Sequence, residues 1–446
     1  MHSEVSTELA KFAAETKYEA IPKDVVEFAK CLTLKTIAGI LAGSVKPAGQ
    51  KMSKLIRDRK LTEEVGVIGC GFKTSLWEGI FLQVFFSHAS ELEDDRFNGG
   101  ISWDITVIPL LLCLAEKFKL SGKALVEALV VGLEVHTRTC LSSTGHLGVS
   151  IVPGAVGPAV AAARALGLSA KETASALGLA MSGVPLTWVN FGTDAHYFES
   201  ALHSLQGIIA AEMAKQGMTS NPDIVAYLSN LLGKEKVAPE KMVEDLGVRW
   251  LFCDMWIKKY PCCFSNHRQI DALIELMKEH ALSYDQIDTV EVHVSPADEI
   301  LNRPEPKTDG DLQFSIQHNL AVAMLDGDVN LSHFTSDAIA NPRFWQARSK
   351  VVWILHPDWS RDVLAAPARV TIKTRDGREF SKERMHSIGS PSEPLTIAQF
   401  RELYAKFTQG ILTQEQITRT ADSVLNLENL SDAQELMDIL TFAHTR

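Results

Sequence analysis

The chain has 446 residues, a formal net charge of −11, 46% hydrophobic and 22% charged residues. That length suffices for two or three domains around a large core, and the acidic balance argues against a general nucleic-acid binder. The seven cysteines are scattered singly apart from Cys262-Cys263; the absence of paired Cys-x-x-Cys spacing argues against a structural zinc site, and an odd cysteine count without a signal peptide points to a reducing compartment.

Residues 1–18 mix Glu4, Glu8 and Glu15 with Lys11 and Lys17 and lack the apolar core of a secretory signal. The longest apolar runs, such as 105–115, are too short to span a bilayer. The expectation is a cytoplasmic protein without membrane attachment. Residues 24–41 carry Val25, Phe28, Leu32, Ile37 and Leu41 near a helical period, with Pro22 and Asp24 at the start and Gly43 as a stop.

The apolar run 81–86 leads into His88, Glu91, Glu93, Asp94, Asp95 and Arg96. Crowded carboxylates can raise one pKa and make an acid or base. They could hold a hard cation, but the Asp/Gly grammar of a calcium loop is missing; the plain alternative is a solvated acidic loop. Ser102-Trp103-Asp104 then precedes a long apolar helix, where Ser102 or Asp104 would cap free amides. Residues 121–135 read as a helix capped by Ser121. His146, beside Gly145, is a candidate proton carrier or a packed loop residue. The glycine-rich stretch 145–157 has neither a dinucleotide nor a P-loop pattern, so no nucleotide is expected. Residues 156–166 and 170–181 are rich in Ala and Gly, as suits close-packed central helices. His196 and His203 follow, with nothing in the sequence to rank them.

Lys258-Lys259-Tyr260-Pro261-Cys262-Cys263, with His267 and Arg268, sets four basic groups within eleven residues. Such a cluster in an acidic protein can hold a small polyanion such as a dicarboxylate, and a buried Lys of lowered pKa can act as a base. The plain alternative is a basic turn ahead of a helix. Beyond it the composition changes. Val290, Val292 and Val294 alternate with polar residues, as in a half-buried strand; 368–373 alternates too, and Asp376-Gly377 makes a hairpin turn. Segments 314–325 and 336–347 read as helices between them. Ser315 and His318 share a helix face, but the nucleophile elbow is absent. Residues 394–408 and 413–425 are helical again. The pattern predicts a mainly α protein with an α+β part: a helical domain over 1–267 and 393–446, and a smaller α+β domain over 268–392.

These clusters, in this order, resemble the MmgE/PrpD family. His88 to Asp95 is similar to the family's His-x-x-Asp-x-Asp-Asp, with Glu91 and Glu93 for two Asp. Lys258-x-Tyr260-Pro261 and the downstream His267 resemble its Lys-x-Tyr-Pro motif. Phe314-Ser315-x-x-His318 is similar to Phe-Ser-x-x-Tyr, and Gly389-Ser-Pro-Ser-Glu-Pro394 with Lys406-Phe407 resembles the C-terminal signature. The resemblance covers nearly the whole chain. It implies a helical domain built from both chain ends, an inserted α+β lid, a homodimer, and a site between the domains that uses no cofactor and no metal. The family contains 2-methylcitrate dehydratases, cis-aconitate decarboxylases and iminodisuccinate epimerases.

Two departures guide the choice among these activities. The family's His-Pro-Ser/Thr-Gly is replaced by Ser102-Trp103-Asp104-Ile105, and Gln206 stands near the place of a usual basic residue. Expelling water needs a general acid on the leaving oxygen, and Asp104 could serve only with a raised pKa. Keeping bases while losing acids suits proton removal and return at one carbon. The expectation is therefore an epimerase of a small imino- or aminodicarboxylate, most like iminodisuccinate epimerase, with a hydro-lyase or decarboxylase of a tricarboxylate as the alternative. A catalytically inactive binding protein is the third reading. The proposed acid–base set is Lys258 with His318, His267 or His146. Arg268, Lys259, Asn266 and Tyr260 would hold the substrate, and His88, Glu91, Asp94 and Asp104 would orient it or the base.

Overall fold

The computed structural model describes residues 2–96, 102–142, 154–183, 190 and 192–441. It is mainly α with an α+β part, and the chain divides into two compact units: residues 1–255 with 396–446, and residues 256–395. The basic stretch from Lys258 to Arg268 thus belongs to the second unit.

The first unit is helical apart from a short antiparallel pair, Val65–Gly66 with Lys73–Thr74. Its helix Lys23–Ser44 is buried over most of its length. Gly43 does not stop that helix. A Cβ there would lie 1.7 Å from the Phe86 carbonyl oxygen, so Gly43 is where the backbones of Lys23–Ser44 and Leu76–Ala89 meet. The helix Gly122–Leu141 begins at the expected cap, with Ser121 accepting a hydrogen bond from the Ala124 amide. It packs on Val156–Ala165, which packs in turn on Asp194–Lys215. Glycines allow these approaches: a Cβ on Gly132 would sit 2.7 Å from that of Ala161, and one on Gly207 would sit 2.4 Å from Pro158. The C-terminal helices Ile397–Thr408 and Gln414–Leu425 lie against Lys23–Ser44.

The second unit is built on a four-stranded sheet in the order Val351–Leu355, Ile287–Val294, Ala368–Thr374, Glu379–Arg384. The first pair is parallel and the others antiparallel. Val290, Val292 and Val294 face the core, with Val290 opposite Ile372 and Val292 opposite Val370. The helices His267–Glu279 and Ile316–Asp326 complete that core. The expected helix 314–325 is observed as Ile316–Asp326, and the expected helix 336–347 is broken in two. Ser315 caps Ile316–Asp326 and ends Asp309–Phe314, and Asn341-Pro342 separates Ser336–Ala340 from Pro342–Arg348. No described helix is long and apolar enough to cross a membrane.

Candidate active site

In the first unit, the helix Leu76–Ala89 is apolar and buried nearly throughout, which places His88 in its last turn inside the protein. The helix ends at Ser90, and Glu91 takes a left-handed φ of 56°. A residue with a Cβ gives up about 1–2 kcal/mol to stand there. That turn accompanies an inward course of the acidic stretch: Glu91, Glu93, Asp94 and Asp95 are all 5% exposed or less. A solvated acidic loop is excluded.

The helix Asp194–Lys215 packs on Leu76–Ala89 and brings a second histidine to His88. The His88 and His196 rings lie 4.1 Å apart. Ser200 Oγ sits 2.7 Å from His88 Nδ1, and Glu199 Oε2 lies 3.8 Å from His196 Nδ1. Burial opposes ionisation of Glu199, but hydrogen bonds from His196 and Asn190 hold its carboxyl below the usual range. One ligand atom from each of His88, Glu91 and His196 falls within 4.8 Å of the others.

Asp94 and Asp104 meet around Lys35. The Lys35 ammonium is 2.8 Å from Asp94 Oδ1, with both side chains fully buried. The Asp104 carboxyl accepts from the Asp94 amide at 3.3 Å and from the Thr36 hydroxyl at 3.0 Å. Asp104 is thus no cap for its own helix, Asp104–Phe118. Burial, with the Asp94 charge adding to it, pushes Asp104 up to about 8, although Lys35 and Thr36 pull the other way. Burial thus favours the protonated form of Asp104. Ser102 donates to Asp95 at 2.8 Å, and the Trp103 ring lies tilted 4.3 Å from the His136 ring. His136 Nδ1 accepts from the Gly157 amide, and burial pushes the imidazole down to about 3.

In the second unit, Lys258 is 1% exposed and His267 fully buried. The His267 ring lies edge-on to Tyr260 at 5.1 Å and stacks on Phe264 at 4.9 Å. Asp271 gathers this segment: it accepts from Lys259 at 3.0 Å, from the Tyr260 hydroxyl at 2.8 Å and from the Ile388 amide at 2.8 Å. Burial, then Asp271, holds the Tyr260 phenol well above its ordinary range, so it keeps its proton. Arg268 forms an ion pair with Asp298 at 3.0 Å and donates to the Val363 and Ala366 carbonyls. Asn266 donates to the Gln313 carbonyl. His318 lies against Phe334 and Phe344, with Nε2 2.8 Å from the His333 carbonyl. Burial pushes it down to about 4, so at neutral pH it holds no imidazolium proton to return. His146 lies outside the described residues.

The structure thus joins His88 with Glu91, Asp94 with Asp104, and Lys259 with Tyr260 and His267, while Arg268, Asn266 and His318 are bound into local protein contacts. It adds Lys35 and Asp271 to the residues singled out from sequence, and it brings His196, named there without rank, to His88. His196 was detectable: His196, Glu199, Ser200 and His203 recur at i, i+3, i+4 and i+7, one face of a helix. Gln206, on that same helix, donates to the Ala180 carbonyl.

Comparison with known proteins identifies the family. Residues 7–231 match the MmgE/PrpD N-terminal domain, and residues 260–429 match the MmgE/PrpD C-terminal domain. The cis-aconitate decarboxylase-like protein oryM of Aspergillus oryzae is 25% identical over 98% of this chain and 97% of its own length. A cis-aconitate decarboxylase of Aspergillus terreus is also 25% identical, over 98% and 96%. The Homo sapiens cis-aconitate decarboxylase is 26% identical over 78% of this chain and 76% of its own length. With both domains matched along most of its length, the chain belongs to the MmgE/PrpD family.

Proposed function

We propose that this chain is a lyase of a small polycarboxylate, of the cis-aconitate decarboxylase kind. The observation that carries the reading is Asp104. The case for an epimerase rested on the lack of a proton donor in the stretch 102–105, and Asp104 is a buried carboxyl pushed up to about 8. The second departure weakens as well, since His196 and His203 stand on the helix that carries Gln206. Relatives of near-equal length with a decarboxylase name support the same choice.

In such a reaction the bond from carbon to a carboxylate breaks and carbon dioxide leaves. The electron pair stays in the conjugated skeleton, and one proton from the protein restores the balance. Asp104 is the proposed proton reservoir, backed by Lys35 and Asp94. Lys258 and His267 are the proposed acid–base groups of the second unit. The reaction is tested by incubating the purified chain with cis-aconitate in deuterated buffer. The expected result is release of carbon dioxide and one solvent deuteron in the product. Exchange of the α-hydrogen of an imino- or aminodicarboxylate, with the skeleton intact and no carbon dioxide released from cis-aconitate, would overturn it in favour of the epimerase.

A further inference from the structure

We propose that Trp103 and His136 form a two-donor site for one carboxylate group, the indole Nε1–H and the imidazole Nε2–H each donating to one of its oxygens. That this carboxylate is the substrate's rests on the lyase reading; the site itself does not. Trp103 stands directly ahead of the helix Asp104–Phe118, and His136 is on Gly122–Leu141. Their rings are in contact at 4.3 Å, and both side chains are buried. Gly157 decides which nitrogen of His136 carries the proton. Its amide donates to Nδ1 at 2.9 Å, so Nδ1 is the acceptor and the neutral ring holds its proton on Nε2. A Cβ on Gly157 would lie 2.9 Å from that Nδ1 and 3.1 Å from Val107 Cγ2. Glycine is therefore what lets the amide approach the ring. Burial keeps the imidazole uncharged.

Neither Trp103 Nε1 nor His136 Nε2 finds a hydrogen-bond partner among the described residues. Buried donors are paired in the great majority of cases, and one left without an acceptor costs the full desolvation of the group. Two such donors on rings in contact point to one small acceptor. A cation does not fit, because both nitrogens present a hydrogen and no lone pair. A carboxylate does, since it offers one oxygen to each donor. Trp103 also sets the site at the N-terminal end of a 15-residue helix, where the dipole favours negative charge. A polycarboxylate of the proposed reaction supplies such a group.

The experiment is an NMR titration of the full chain, isotope-labelled at the indole nitrogens. Trp103→Phe identifies the Trp103 resonance among the eight tryptophans. The probes are acetate, the smallest suitable carboxylate, and the saturated tricarboxylate tricarballylate. Both should move the Trp103 indole N–H downfield and saturate. Trp250 is the control: its Nε1 also lacks a partner among the described residues, but its ring neighbour is Phe12, which offers no second donor. Its resonance should stay still. In calorimetry, Trp103→Phe and His136→Asn should each weaken tricarballylate binding about 10-fold, the scale of one lost hydrogen bond. His136→Asn keeps an oxygen for the Gly157 amide and has no donor at the place of Nε2. If it does not fold by circular dichroism, Trp103→Phe decides. A Trp103 resonance that moves with neither probe would overturn the proposal. So would one that moves together with Trp250, or tricarballylate affinity unchanged in either folded variant. A shift with acetate but none with tricarballylate supports the site and counts against the polycarboxylate reading instead.

Discussion

Lys35 stands in a buried helix with its ammonium on Asp94. Removing one partner of a buried ion pair leaves an uncompensated charge, which typically costs about 3–5 kcal/mol. Lys35→Met should destabilise the protein by that amount at alkaline pH, measured by urea unfolding, and by less in acid, where Asp94 can take a proton. An unchanged midpoint at both pH values would contradict the assignment. Asp104 should behave in the opposite sense. The folded state keeps its proton up to about 8, whereas an exposed Asp loses it near ~3.9. Within that window the native state binds the extra proton, so stability from this group is complete in acid and falls as pH rises towards the upper value. Asp104→Asn removes the titration, and its unfolding midpoint should change less than that of the native chain between about pH 5 and 8; equal slopes would show that Asp104 is already ionised. Lys258→Ala should lower turnover by about two orders of magnitude, the scale of a lost acid–base group, with circular dichroism unchanged. None of the Asp104 behaviour was legible in residues 88–104 alone. Lys35 lies 59 positions before Asp94, and a carboxyl pKa depends on what the fold buries beside it. The epimerase expectation is unsupported, and relatives named cis-aconitate decarboxylase favour its lyase alternative; it had rested on a missing histidine.

Elements were legible where local chemistry decides them. Ser121, Ser169 and Thr413 cap helices at the positions their side chains indicate. The alternation over 368–373 and the Asp376-Gly377 turn mark the antiparallel pair Ala368–Thr374 with Glu379–Arg384, with Gly377 at φ 86°. The edge strand Val351–Leu355 was not legible. Val-Val-Trp-Ile-Leu lacks period-two alternation, and its parallel pairing to Ile287–Val294 is long-range. The break at Asn341-Pro342 could have been read, since Asn caps and Pro opens a helix. Gly43 shows the limit of single-residue rules: as punctuation it suggested a stop, but in the fold it is a contact. Gly43→Ala should therefore be costly despite the better helix propensity of Ala. Its Cβ would meet the Phe86 carbonyl oxygen at 1.7 Å, forcing two buried helices apart at about 1–3 kcal/mol or more. Thermal unfolding checks this, and a variant as stable as the native chain would show that the helices separate freely.

At the scale of the molecule, the family was legible because several weak motifs occur in one order, whereas the reaction depends on buried charges that no motif records. The first unit needs both ends of the chain. Ile397–Thr408 and Gln414–Leu425 cover Lys23–Ser44, and Lys30 pairs with Glu428 at 2.9 Å. The Gly122 amide donates to the Leu430 carbonyl, and the Ala433 amide to that of Leu120. A Cβ on Gly122 would lie 1.6 Å from the Leu427 carbonyl oxygen, so this junction is close-packed backbone. Ending the chain after Leu395 would strip a buried helix of its cover and leave those backbone groups without partners. Exposed apolar surface of that kind drives association. The shortened chain should lose the cooperative unfolding of the first unit and aggregate, read by hydrogen exchange over residues 23–44 and by light scattering. Protection of that helix equal to the native chain's would mean that the N-terminal segment folds alone, and that the returning helices only decorate it.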